Sequence, residues 1–266
     1  MVRPSSLLVL LGLLVLSACA TSPLGRRQLK LVSDQQMAQI GSQAFAQLSA
    51  QTPKSRNPST NEYVRCVASA VTGALEGPWA DTPWEVQVFE DPTPNAFALP
   101  GGKIGVHTGI LEVAENQDQL ATVIAHEVAH VVAGHSNERM STEMATQAAL
   151  TAASAAINTG DPLQRQGLAL LGLGAQVGVI LPYSRTHETE ADLYGLDLMA
   201  KAGFDPRQSV PLWENMRAAG GQKPPQFLST HPADRTRIQN LQARVAQDIP
   251  LMQAAHAAGR KPRCGP

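Results

Sequence analysis

Aromatic side chains are scarce, at 4% of the sequence, and neither charge is in excess, the formal net charge being −1. A nucleic-acid partner calls for a cationic face and stacking platforms, so both shortages exclude that class. There are three cysteines, Cys19, Cys66 and Cys264, and none stands in a CxxC pair. A thiolate zinc cluster is thereby excluded. No repeat period, heptad array or block of like charge runs along the chain. The Pro100-Gly101-Gly102 turn precedes no GxxxxGK pattern, so it is not a phosphate loop. The apolar stretch from 163 to 181 is broken by glycines and carries Arg165; it reads as a buried or lid helix rather than a membrane span. What remains is a 266-residue chain with 43% hydrophobic residues, enough for one domain with a real core plus extensions.

The N-terminus reads as an export signal. Arg3 supplies a positive start and Leu7 to Leu16 an apolar run too short to span a bilayer. Leu16-Ser17-Ala18-Cys19 resembles the bacterial lipobox. The match implies a signal peptide over 1–18, lipidation of Cys19, and a tether over 19–30 that holds the chain to the membrane. Ala20 after the cysteine leans toward the periplasmic face of the outer membrane. With Cys19 acylated, Cys66 and Cys264 remain in an oxidising compartment, where a disulfide between them is expected.

Hydrophobic periodicity predicts helices over 33–50, 62–75, 136–158, 186–201, 207–219 and 232–247. Strands are expected at 85–90, 96–99 and 103–107, forming a small antiparallel sheet. The class is α+β, mainly α, with a domain over 31–250 and a tail over 251–266.

One further helix carries the chemistry. His126-Glu127-Val128-Ala129-His130 lies inside the apolar run from Leu120 to Ala133. Residues four apart share a helix face, so the two imidazoles can hold one divalent metal. Glu127 beside them can act as general base toward an activated water. Imidazole and carboxylate are costly to bury unless paired or coordinated, which favours ligation over chance placement. A catalytic zinc site needs a third protein ligand. His135 lies five residues past His130, about 140° round the helix, and reads as a helix-end residue. The acidic cluster from Arg185 to Asp192 offers a better set. There Glu188 and Asp192 share a face, so Glu188 can bind metal while Asp192 orients a ligand histidine. His187 remains an alternative ligand.

HEVAH followed by SRTHETEADLYGLDLMAKAGFDP resembles the HtpX-like gluzincin metallopeptidases over roughly 37–245. The resemblance implies a zincin-like domain with one Zn2+ held by His126, His130 and Glu188, and Glu127 as catalytic base. Asn95-Ala96-Phe97-Ala98 and the residues after it resemble the family's substrate-binding edge strand. Ser229-Thr230-His231-Pro232 with Arg235 resembles its late THPxxxR element. There His231 either assists the reaction or closes the site as a reversible lid, and Arg235 positions it. The implied activity is zinc-dependent endopeptidase action on misfolded or unassembled cell-envelope polypeptides. The alternative is a chaperone or assembly factor with a closed or structural zinc site.

Overall fold

The computed structural model describes residues 19–156, 181–219, 227, 231 and 235–265. The expected signal peptide, most of the 163–181 stretch, the loop at 220–225 and the residues flanking His231 lie outside the described residues. The chain divides into two compact units, Met1–Asp34 with Gly134–His187, and Gln35–Ala133 with Glu188–Pro266.

In the first unit, β1 (Cys19–Thr21) and β2 (Arg27–Leu29) form an antiparallel hairpin with Cys19 opposite Leu29. The hairpin is fastened to α4 (His135–Ala156). Arg26 grips Glu138 with two bonds of 2.6 Å, Leu31 N–H donates to Ser141 at 2.8 Å, and Asn137 donates to the Val32 carbonyl at 2.6 Å. Residues 19–30 were expected to be a tether; this segment is folded structure instead. The reason is Glu138, a fully buried carboxylate that is tolerable only with a cation and donors beside it.

The second unit holds α1 (Asp34–Gln51), of which only Asp34 falls in the first, and α2 (Pro58–Thr72), β3 (Glu85–Phe89), β4 (Ala96–Leu99), β5 (Lys103–His107) and α3 (Gln117–Val132). It continues with most of α5 (Leu181–Ala202), α6 (Ser209–Ala219) and α7 (Arg235–Ala257). α2 starts earlier than expected, because Asn57 caps Ser59 and Thr60 and Pro58 takes the first helical position, where its missing N–H costs nothing. The core joins Val64, Val67 and Val71 of α2 to Val88, Ile104 and Val106 of the sheet, Leu120, Ile124 and Val128 of α3, and Leu196 and Met199 of α5.

The sheet departs from expectation in direction. Its order is β3-β5-β4, with β4 antiparallel to β5 but β3 parallel to it. Gly101 and Gly102, at φ 87° and 73°, make the tight turn that a β4–β5 hairpin needs. β3 lies on the other side of β5 and, reversed by the short 90–95 connection, runs in the opposite sense to β4. β4 is thus an edge strand, and it runs beside α3. The C-terminal segment also differs. α7 continues through Pro250 to Ala257, Ala255 is buried, and the Cys66–Cys264 disulfide ties the chain end to α2. Cys264 N–H donates to Gln117 Oε1 at 2.8 Å, and Gln117 donates to the Pro262 carbonyl at 3.0 Å.

No described helix is long and apolar enough to cross a membrane.

Candidate active site

α3 starts where Asn116 accepts from the N–H groups of Asp118 and Gln119. Every residue from Gln119 to Val132 is buried, so the helix runs through the core and carries its polar groups with it. His126 and His130 lie one turn apart with Nε2 atoms 3.1 Å from each other. Glu188 of α5 closes the triangle, with Oε2 3.4 Å from His126 Nε2 and Oε1 3.4 Å from His130 Nε2. Ligands of a tetrahedral zinc with bonds of about 2.0–2.1 Å stand about 3.3–3.4 Å apart. The three side chains therefore fit such a cation.

His231 stands at a fourth corner. Its Nδ1 is 3.2 Å from His126 Nε2 and 2.9 Å from Glu188 Oε2, and its four-residue set with His126, His130 and Glu188 is the metal-ligating group among the described residues. Its other nitrogen, Nε2, lies 3.3 Å from Glu127 Oε1. The sequence left two roles open for His231, and this placement touches the atoms relevant to both. His187 and His135 are elsewhere: their rings stack on each other at 4.3 Å, and neither joins the metal-ligating group.

Around the ligands is a charged shell. Asp192, one turn after Glu188, has Oδ1 3.1 Å from His126 Nδ1, a charge contact bent away from a straight hydrogen bond. Arg237 of α7 donates to both Asp192 oxygens at 2.7 Å and reaches Glu188 Oε2 at 3.0 Å. Its guanidinium lies 4.3 Å from the Trp213 ring centroid. The sequence pointed to Arg235, whose side chain lies outside the described residues; the arginine found beside the site is Arg237. The helical phase offered no signal: Arg237 and Arg235 lie about 75° and about 85° from the centre of the apolar stripe of Ile238, Leu241 and Val245. Phe227, stacked on His231 at 4.7 Å, and Trp213, 6.0 Å from His126, were not singled out. Lone aromatics carry no pattern that separates them from core.

The electrostatics follow from burial and these partners. Burial pushes His126 down, but Asp192 and Glu188 outweigh it and raise its pKa to about 9. The same negative field that favours a proton there favours a cation. Glu188 goes below the usual carboxylate range, because hydrogen bonds with His126 and His231 overcome its burial. Asp192 is lowered too, with Arg237 outweighing burial. Glu127 moves the other way: burial raises it, only partly offset by His231 and His126. A carboxylate raised toward neutrality suits proton exchange in both directions. The Ala98 backbone N–H on β4 also pulls Glu127 down, less than the other groups do. Of the other expected substrate-binding residues, Ala96 is buried, Phe97 and Asn95 are half-buried, and the Asn95 carbonyl accepts from His107 N–H at 3.0 Å.

Residues 58–245 match the family model described as Peptidase family M48. The mitochondrial metalloendopeptidase OMA1 of Schizosaccharomyces pombe is 43% identical over 185 residues, which cover 69% of this chain and 52% of that protein. The putative beta-barrel assembly-enhancing protease of Vibrio cholerae is 33% identical over 215 residues, 77% of this chain and 43% of its own. The Escherichia coli beta-barrel assembly-enhancing protease is 26% identical over 226 residues, 82% and 45% respectively. The chain thus spans about half the length of these relatives.

Proposed function

The chain belongs to peptidase family M48, and on that premise we propose that it is a zinc-dependent endopeptidase of the bacterial cell envelope. The observation that carries the activity is the triangle of 3.1, 3.4 and 3.4 Å among His126 Nε2, His130 Nε2 and the Glu188 oxygens. A zinc ion held there supplies Lewis acidity toward a peptide carbonyl and toward water. Glu127 takes the proton of the attacking water and passes it to the leaving amine. Asp192 fixes the His126 ring, and Arg237 fixes both acidic side chains. The free side of β4 holds an extended peptide by main-chain hydrogen bonds, which ask little of its sequence.

The envelope setting rests on the sequence. The lipobox at Leu16 to Cys19 supports lipid anchoring through Cys19, most simply at the periplasmic face of the outer membrane. Misfolded or unassembled envelope polypeptides are the natural substrates of a sequence-tolerant edge strand. Two bacterial relatives bear names tied to β-barrel assembly, which supports the same setting.

One observation favours a second reading. With Nδ1 2.9 Å from Glu188 Oε2 and 3.2 Å from His126 Nε2, His231 occupies the corner that water or substrate would need. The site is then closed at rest, and a chaperone or assembly role can operate without cleavage.

The deciding experiment measures zinc per chain and casein cleavage by the full chain beside Glu127→Gln. We expect one zinc in both, with cleavage in the variant lower by about 10²-fold to 10⁴-fold. Equal cleavage by the two proteins removes Glu127 as base. Zinc without cleavage in the wild type, restored by His231→Ala, establishes the closed state. No zinc in the folded chain overturns the peptidase assignment.

A further inference from the structure

The first unit carries its expected anchor on a folded element. Residue 19, which the lipobox marks for acylation, is the first residue of β1 and pairs with Leu29 of β2. A free tether over 19–30 would hold the fold about 20 Å from the bilayer on average. Here no residue separates the acylated position from the fold. The hairpin is also held at both ends. At its turn, Ser22 N–H donates to the Arg26 carbonyl at 2.8 Å and Gly25 N–H to the Ser22 carbonyl at 2.9 Å. Arg26 N–H donates to Ser22 Oγ at 3.1 Å, and Gly25 supplies the φ of 84°. At the open end, Leu31 N–H is held by Ser141 of α4.

The two faces of the hairpin differ. Side chains alternate along a strand. Arg26 and Gln28 both turn to Glu138 of α4, so the odd-numbered residues of β2 stand on the other face. Thr21 and Arg27, opposite each other in register, are exposed there, and Leu29 is half-buried. Arg27 forms no side-chain ion pair among the described residues. Leu24 at the turn and Leu31 past the open end are 45% and 47% exposed. Four large hydrophobics are exposed among the described residues, and two of them bracket this one short face.

We propose that the outer face of the β1–β2 hairpin lies flat on the phospholipid surface into which the acyl chains of Cys19 insert, with Leu24 and Leu31 entering the headgroup boundary and Arg27 among the lipid phosphates. The proposal rests on the lipid-anchoring reading. Leu24 and Leu29 are at most about 18 Å apart, whereas the headgroup layer is about 5–7 Å deep. A hairpin standing upright on its open end would therefore leave Leu24 in water. Lying flat, it brings both leucines and the acylated position to one depth, and the long Arg27 side chain reaches the phosphates from between them. One exposed leucine needs no explanation. Two at the ends of a face that starts beside the anchor share one, because the anchor already brings the bilayer there.

With Cys19 acylated and Cys66 bridged to Cys264, an introduced cysteine is the one free thiol of the chain. The full acylated chain is spin-labelled at Leu24→Cys, Leu31→Cys or Glu143→Cys and reconstituted in vesicles of phosphatidylethanolamine and phosphatidylglycerol. Glu143 is exposed on α4, about 160° round the helix from the Ser141 that holds Leu31, and serves as the aqueous control. Accessibility to oxygen and to a nickel chelate gives the depth of each label. Labels at 24 and 31 should both read about 5–10 Å into the headgroup and acyl boundary, and the label at 143 should read as in water. Arg27→Glu should move both labels outward in these vesicles, and less so in purely zwitterionic ones. Mass spectrometry of residue 19 separates two failures. A chain without an acyl group refutes the anchoring and the docking together, whereas an acylated chain with both labels in water refutes the docking alone. A buried label at 31 with the label at 24 in water shows an upright hairpin and overturns the proposal. Shielding that falls as the chain is diluted in lipid puts a second copy on the face and overturns it too. Thr21→Cys, on the same face, decides if a leucine variant does not fold.

Discussion

Arg237 neutralises two carboxylates at once, Asp192 through 2.7 Å bonds and Glu188 at 3.0 Å. Removing one partner of a buried charge network costs about 3–5 kcal/mol, because the other charges stay buried without compensation. In a domain of this size each kcal/mol is worth about 2–4 °C. Arg237→Ala should therefore lower the melting temperature by roughly 10 °C and reduce bound zinc. Arg237→Lys keeps the charge but not the two-pronged grip, and should fall between. Differential scanning calorimetry with metal analysis checks both, and a melting temperature equal to wild type would show that the shell is dispensable. This residue also marks the limit of legibility. His126 and His130 were readable because a four-residue spacing on a helix fixes a shared face before any tertiary structure is known; the same spacing paired Glu188 with Asp192, and it was the resemblance to the gluzincin metallopeptidases that singled out Glu188 over His187. Arg237 comes from a distant helix and belongs to no motif quoted from the sequence.

Helix–helix contact sets the distance between the ligand pairs. Gly195 of α5 lies against α3, where a Cβ would come within 3.0 Å of the His126 Cα and N and 3.1 Å of the Ala125 carbonyl carbon. These are main-chain atoms of a buried helix, so they can yield only by moving α3 itself. Alanine improves helix propensity by about 1 kcal/mol over glycine, while overpacking of a core costs about 1–3 kcal/mol. The two nearly cancel in stability, but a displacement of a few tenths of an ångström already exceeds the metal tolerance of about 0.2 Å. Gly195→Ala should thus change the melting temperature little and weaken zinc binding clearly. A variant with unchanged affinity would mean that the helices separate without disturbing the ligands. At this scale the sequence was informative about which segments are helices and strands, and less so about direction. Alternation identifies β3, β4 and β5 but not that β3 pairs in parallel with β5, which depends on β3 lying on the side of β5 away from β4. The hairpin at 19–29 was hidden because its partners on α4 lie more than a hundred residues away.

Two features act on the second unit as a whole. The Cys66–Cys264 bridge closes a loop with a sequence separation of 198, and loop entropy alone gives about 5 kcal/mol for a span of that order. Reduction should lower the melting temperature and leave zinc content intact below it, since neither cysteine touches the site; loss of zinc on reduction would tie the C-terminal segment to the metal centre. The pH response has a separate origin. Asp248 of α7 is fully buried beside Asp197 of α5, and Arg244 serves both, at 3.2 Å and 2.5 Å. Burial and the Asp197 charge raise the Asp248 pKa from 3.8 to about 7, with Arg244 opposing. The folded chain therefore holds a proton there that the unfolded chain releases near pH 4. The stabilisation is complete below that pH and is lost as pH rises through about 7. Asp248→Asn retains an oxygen for Arg244 and removes the charge, so it should raise the melting temperature more at pH 8 than at pH 5 and match wild type only below about pH 4. A gain of equal size at both values would trace the effect to packing. A loss at pH 8 would show that Arg244 needs both carboxylates, and that the cation rather than the shared proton governs the contact between α5 and α7.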